Sequence, residues 1–269
     1  DLGGSIRVPA TYCGLWALKT SFGAINITDG TNPDSSFAFN RFAMASAGPL
    51  ARDPKDLQLM WNVLVNTKID PKFQKPIGWK EASNKKLSDY KFAWVDEWPT
   101  KQGKIKVSET TKGKLKLLMD SLMNRKASLV EDTPLDYYEL HNMFLRTFGF
   151  MLSENQPWLI KKLIQLDFQK SDDGSGNFEI FNESIMDGSV AGWEKTQQER
   201  QKLILKWEDF FTKYDFFICP VTYDAAFKKQ ESWKDIKADD GNTINYMGYV
   251  PYSYIINATG HPAITVPLG

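Results

Sequence analysis

Short apolar runs alternate along this chain with long stretches whose apolar residues recur every three to four positions, and this alternation constrains its fold more than any other feature. Tyr90 to Val95 (YKFAWV) reads as a strand ended by Asp96, Ser128 to Val130 as a short strand, and Phe216 to Cys219 as a buried strand closed by Pro220. Ala263 to Val266 reads as a final buried strand. Ser108 to Lys126 places Leu115, Leu118, Met119 and Leu122 at helical spacing. Leu135 to Ile164 carries aromatic and aliphatic residues in the same rhythm, broken at Pro157, and Trp193 to Tyr214 is a long amphipathic helix. Nearer the start, Pro9 suits the first turn of a helix, where its missing N–H would be unpaired anyway. A second helix begins near Pro54 with Leu57, Met60, Trp61, Val63 and Leu64 on one face. Asn66 to Asp89 reads as an exposed connection, Asp172 to Gly176 as a loop, and Asp240-Gly241-Asn242 as a turn. Apolar strands interleaved with helices imply an α/β layered architecture.

A chain of 269 residues is one large domain or two ordinary ones, long enough to bury a sizeable core. Hydrophobic residues at 42% and charged residues at 25% exclude disordered and collagen-like classes. No apolar run approaches the roughly 18 residues of a membrane span. Lys+Arg and Asp+Glu balance at 33 each, which gives no electrostatic case for a nucleic-acid partner. Two cysteines, Cys13 and Cys219, and two histidines, His141 and His261, exclude a disulfide framework, a Cys-rich zinc site and a multi-histidine metal centre. No metal or cofactor is expected. The cysteine usage fits a reducing compartment, and a cytoplasmic location is expected. No signal peptide is visible. The chain starts at Asp1 rather than Met and stops in Val-Pro-Leu-Gly, ends that read as cuts through a larger protein.

Chemistry concentrates in Asp1-Leu2-Gly3-Gly4-Ser5-Ile6-Arg7-Val8-Pro9-Ala10. Two consecutive glycines let neighbouring backbone N–H groups converge on one concavity, able to hold a developing oxyanion beside the serine that follows. The same residues also read as a plain glycine turn before a helix, with Ser5 as its cap.

The longer stretch DLGGSIRVPATYCGLWALK resembles the signature segment of the amidase signature family, close to D-I/L-G-G-S-I-R-x-P-A-x-x-C-G-x-x-G-L-K-P-T. Gly48-Pro49-Leu50-Ala51-Arg52 with Asp56 is similar to its G-P-L/M-A-R-x-x-x-D. Asp215 to Thr222 is similar to its D-x-L/I-L/I-x-P-x-x strand, and Asn257 to Pro267 (NATGHPAITVP) to its late N-x-x-G-x-P-A-x-x-x-P segment. The four anchors occur in the family's order across nearly the whole chain. The resemblance implies a single α/β/α domain with a mixed central sheet over 1–269, and hydrolysis of an amide C–N bond through an acyl-serine. It makes Ser5 the nucleophile and the backbone N–H groups of Leu2, Gly3, Gly4 and Ser5 the oxyanion hole.

The family's base is a lysine acting through a second serine, both upstream of the signature, and only four residues precede Ser5 here. A second chain or upstream segment is therefore expected to complete the site. Ser175-Gly176 lacks the context of the relay serine, and Lys19 falls on the family's L-K-P-T lysine, which is not the base. That motif reads Ala17-Leu18-Lys19-Thr20-Ser21 here, without its Gly and Pro.

Around the nucleophile, Arg7 reads as the partner of Asp1 in an ion pair, and Cys13 as a buried structural thiol. His141 reads as a packing residue and His261 as a turn residue. The aromatics at Tyr137-Tyr138, Phe144, Phe148, Phe150, Trp158 and Tyr246 to Tyr254 fill helix–helix contacts or shape a pocket for an apolar or aryl amide. Lys85-Lys86 and Lys228-Lys229 read as solvated faces. The partner implied is a small-molecule amide. Two alternatives stand beside a free-standing amidase: a glutaminase-type subunit of an aminoacyl-tRNA amidotransferase, and a non-catalytic amidase half serving as an interaction module.

Overall fold

A computed structural model of the chain describes residues 1–25, 44–66, 85–169, 177–231 and 234–269. In chain order the elements are α1 (Arg7–Cys13), β1 (Trp16–Lys19), β2 (Leu50–Ala51), α2 (Pro54–Asn66), β3 (Lys91–Trp94), β4 (Trp98–Thr100), β5 (Gly103–Ile105), α3 (Glu109–Asn124) and β6 (Ser128–Glu131). They continue with α4 (Tyr137–Ser153), α5 (Trp158–Gln169), α6 (Asn177–Asp187), α7 (Val190–Lys213), β7 (Phe216–Ile218), β8 (Ile236–Lys237), β9 (Thr243–Ile244), α8 (Tyr246–Tyr249), α9 (Pro251–Thr259) and β10 (Ala263–Thr265). The loop of Asp172 to Gly176, with Ser175-Gly176, and most of the 66–89 connection lie outside the described residues.

The architecture is α/β, with both strand senses present: one three-stranded sheet is parallel in the order β6-β3-β7, another is antiparallel in the order β10-β1-β2, and β4-β5 and β8-β9 form two antiparallel pairs. Parallel neighbours need a crossover. Helix α3 lies in the connection from β3 to β6, and the helices from α4 to α7 lie between β6 and β7. Ser108 caps α3 by accepting the Thr111 N–H at 3.1 Å, and its buried Leu115, Met119 and Leu122 form the expected inward stripe. The Asp215 motif anchors β7: its carboxylate accepts the Lys91 N–H at 2.8 Å, and its own N–H donates to the Lys91 carbonyl at 2.8 Å.

Phe216 is 46% exposed, so the buried strand expected at Phe216 to Cys219 is corrected to an edge strand, with Phe216 stacked on Phe92 at 5.1 Å. The final strand is also only half covered, with Ile264 at 60% exposure and Thr265 at 3%. One solvated face is ordinary for an antiparallel edge. In α2 the buried stripe is narrower than expected. Leu57 and Trp61 face inward, while Met60 and Val63 stay exposed. Gly48 is explained by close approach, since a Cβ there would sit 1.8 Å from the Leu18 carbonyl oxygen, beside the Leu18 N–H to Pro49 carbonyl bond of 3.0 Å.

Helix α9 lies at the centre of the molecule, packed on α4 and α7. All nine of its residues are buried. Its polar Ser253 and Asn257 are buried with the rest because each has hydrogen-bond partners inside the fold. Helix α7 turns Trp193, Thr196, Arg200, Leu203, Trp207 and Phe210 inward, alternating steps of three and four residues along one face. Trp98, Leu140, Phe144, Trp207, Tyr252 and Tyr254 share the resulting core. Most of the aromatics singled out from sequence therefore fill helix contacts, Trp158 being the exposed exception at 64%.

Candidate active site

Asp1 to Ile6 form a turn that runs straight into α1, leaving Pro9 within the first helical turn. Ile6, not Ser5, is the N-cap residue, so the cap reading of Ser5 fails. Ser5 is exposed, and among the described residues its hydroxyl makes no hydrogen bond.

Beneath the turn lies a buried ionic knot. The Asp1 carboxylate accepts Arg7 Nη2 at 2.8 Å and Arg7 Nε at 3.1 Å, a two-pronged clamp in which both side chains are nearly or wholly shielded from solvent. Asn257, fully buried on α9, donates through Nδ2 to the Asp1 carboxylate at 3.0 Å, the Asp1 carbonyl at 2.9 Å and the Met44 carbonyl at 3.0 Å. Its Oδ1 accepts Arg7 Nη2 in return. The expected Asp1–Arg7 pair is present, and the structure adds Asn257 as its third member. In the sequence Asn257 shows only as the first letter of the late motif. The signal that points to it is a polar pair four residues apart, Ser253 and Asn257, in an otherwise apolar helix.

The knot also holds the backbone. Gly4 N–H donates to Asp1 Oδ1 at 3.1 Å and Ile6 N–H to Asp1 Oδ2 at 3.2 Å. The Gly4 N–H, one of the four expected oxyanion donors, is thus engaged by the Asp1 carboxylate in this structure. Leu2, Gly3 and Ser5 donate no backbone hydrogen bond to any described residue. The Gly4 carbonyl accepts the Val8 N–H at 2.8 Å. In a planar trans peptide the N–H opposes the C=O, so the Ser5 N–H is turned away from α1. Gly4 sits at φ +116, and a Cβ there would lie 2.5 Å from Ser253 Oγ and 2.9 Å from Val8 Cγ2. No L side chain fits that combination of torsion and contact.

Lys19 is completely buried, its Nζ donating to the carbonyls of Thr20 at 3.2 Å and His261 at 2.8 Å. This anchoring accords with a structural role for the L-K motif lysine. The missing Gly and Pro of that motif leave β1 regular, with Ala17 opposite Thr265 and Lys19 opposite Ala263. Burial first, then the charges of Arg7 and Arg200, push Lys19 down from 10.5 to about 7. Burial, then Lys19, pushes His261 down from 6.5 to about 4. Between the folded and unfolded values of each group the unfolded chain holds a proton that the folded chain does not, so stability rises with pH in both windows. Each window has a slope of up to about 1.4 kcal/mol per pH unit. Denaturation midpoints should fall as pH drops from 6.5 towards 4 and rise as it climbs from 7 towards 10.5. His261→Phe should flatten the acid window and Lys19→Met the alkaline one; unchanged slopes in those variants would refute the assignment.

Cys13 is exposed at the end of α1, where Gly14 turns the chain at φ 64, so the expectation of a buried thiol is corrected. Burial raises the Cys219 thiol to about 12, well away from thiolate chemistry at neutral pH. His141 is buried at 8% exposure, with Nδ1 3.0 Å from the Tyr254 hydroxyl, which lies 2.7 Å from the Tyr137 hydroxyl. It is a packing residue, as expected. His261 follows the left-handed Gly260 that ends α9, and its ring lies 5.7 Å from Trp207. Lys85, Lys86, Lys228 and Lys229 are exposed.

The family of the α/β scaffold that carries this glycine turn and exposed serine follows from comparison with known proteins. The chain belongs to the Amidase family, whose profile matches residues 1–269. A glutamyl-tRNA(Gln) amidotransferase component from Geobacillus sp. (strain WCH70) is 27% identical over 292 residues, covering 100% of this chain and 56% of the relative. A probable amidase of Saccharomyces cerevisiae is 39% identical over 66 residues, 24% of this chain and 12% of that protein. The chain thus spans 56% of the length of a curated relative that it matches end to end. Among solved structures, fatty acid amide hydrolase superposes with a TM-score of 0.69 at 18% identity, over 98% of this chain and 43% of that one. A bacterial aryl acylamidase of the amidase signature family gives 0.69 at 16% identity, over 100% and 55%. These likenesses establish the fold. Among the described residues no helix is long and apolar enough to cross a membrane.

Proposed function

We propose that this chain carries the nucleophile and oxyanion hole of an amidase that hydrolyses a carbon–nitrogen amide bond through an acyl-serine. The observation that carries this reading is the exposed Ser5, set beside N–H groups of Gly3 and Ser5 that bond to no described residue, on a turn braced from below by Asp1, Arg7 and Asn257. Ser5 Oγ attacks the amide carbon and gives its proton to a base. The tetrahedral oxyanion is held by the N–H groups of Gly3 and Ser5, with Leu2 flanking. Collapse breaks the C–N bond as the nitrogen takes up the proton, and ammonia or an amine departs. Water then adds to the acyl-serine, loses a proton to the same base, and releases the acid with Ser5 restored. In this reading the base lysine and relay serine come from an upstream segment or a second chain.

The test is release of ammonia or amine from a panel of aliphatic amides, aryl amides, glutamine and asparagine. Turnover by the protein, lost in Ser5→Ala, supports the reading; folded protein inert towards the panel and towards serine-directed probes favours the non-catalytic half. Glutamine as the strongly preferred substrate, together with a tightly bound partner, favours the amidotransferase reading, which is supported by relatives of that name matched over the whole chain.

A further inference from the structure

We infer that Ser253 is a positioning residue for the oxyanion-binding turn, an inference that rests on the reading of Ser5 as nucleophile. Ser253 lies on α9 at 1% exposure, with Oγ 2.9 Å from the Gly3 carbonyl oxygen and 2.8 Å from that of Val250. A hydroxyl has one proton to give. The Val250 carbonyl already accepts the Ser253 N–H at 3.2 Å, whereas among the described residues the Gly3 carbonyl has no other donor. The proton is therefore assigned to the half-buried Gly3 carbonyl, which has no other donor among the described residues, rather than to a carbonyl already paired.

That bond completes a clamp on a single peptide. The Gly3–Gly4 unit has its N–H held by Asp1 and its C=O, on the opposite edge of the plane, held by Ser253. Its neighbours on either side carry the N–H groups of Gly3 and Ser5. A change in ψ of Gly3 or φ of Gly4 that the other did not cancel would tilt the flanking planes against each other, and with them the two donors. Two glycines offer no Cβ to resist that rotation, so the restraint has to come from outside the turn. Asp1 supplies one half and Ser253 the other. Contact is direct, since a Cβ on Gly4 would fall 2.5 Å from Ser253 Oγ. Donors held in advance of the reaction are what makes an oxyanion hole effective, and a small misplacement is felt strongly in rate.

The test is the rate at which a fluorophosphonate labels Ser5 in the complete protein. The Ser5 oxygen bonds to phosphorus, the P–F bond breaks, fluoride leaves, and the serine proton passes to the base. Charge builds on the phosphoryl oxygen in the same hole. Ser253→Ala is expected to slow labelling by about 10- to 100-fold while the final amount of label stays that of the unsubstituted protein. A purely structural role would lower the amount and leave the rate of the surviving fraction unchanged. If Ser253→Ala fails to fold, Ser253→Cys, similar in shape but a weaker donor, carries the test and should show an intermediate rate. Labelling of folded variants within twofold of the unsubstituted rate overturns the role of Ser253 while leaving Ser5 as nucleophile. Absence of label on Ser5 in the unsubstituted protein removes both.

Discussion

Ser5→Ala is expected to abolish amide hydrolysis, with a loss of roughly 10⁴- to 10⁶-fold in kcat, the scale seen when a serine nucleophile is removed from a working acyl-transfer site. Stability should hardly move. Ser5 is exposed, and its hydroxyl bonds to no described residue, so its removal leaves no buried group unpaired. Changes at such positions usually stay within about 0.5 kcal/mol. Initial rates and a thermal melt on the same preparation test both halves together. Loss of rate with an unchanged melting temperature assigns the defect to chemistry. Retained turnover would mean that another group performs the attack.

The second large effect is at Arg7. Arg7→Met should destabilise the fold by about 3–5 kcal/mol, because it strands the Asp1 carboxylate in a site shielded from water and removes a partner of Asn257. For a domain of this size that corresponds to a fall in Tm of about 10 °C. Arg7→Lys should recover only part of it, since one ammonium cannot reproduce the fork that spans both carboxylate oxygens through Nε and Nη2. Activity should fall with stability, because the same carboxylate holds Gly4 and Ile6 in the turn that presents Ser5. Thermal melts of the two variants decide the matter, and a neutral Arg7→Met would show that the knot contributes nothing to the fold.

Elements whose burial is set along their own axis were legible in the sequence. Helix α3 follows from Leu115, Met119 and Leu122, α7 from a stripe sustained from Trp193 to Phe210, and the break between α4 and α5 from Pro157. Features set by distant neighbours were not. Phe216 is apolar enough for a central strand, but only the pairing order β6-β3-β7 makes it an edge. Helix α9 carries one polar pair, Ser253 and Asn257, but its burial on every side, polar face included, is set by the elements around it. Met60 and Val63 joined the expected stripe of α2 on apolarity alone, and the structure leaves both exposed.

The site divides in the same way. Ser5 and the Asp1–Arg7 pair lie within seven residues of one another, and sequence placed them together. Asn257 and Ser253 reach the turn from 250 residues away, by a packing of α9 that no local pattern encodes. The bond from the Gly4 N–H to Asp1 is likewise a matter of geometry that residue types alone do not reveal.

The most direct test of the central assignment is to treat the folded, complete protein with a fluorophosphonate and map the adduct by peptide mass. One adduct, on the peptide carrying Ser5 and absent from Ser5→Ala, is the expected result, and it would mean that a base reaches the Ser5 hydroxyl. An adduct on a different serine, or none on protein shown to be folded, would contradict the assignment of Ser5 as the nucleophile.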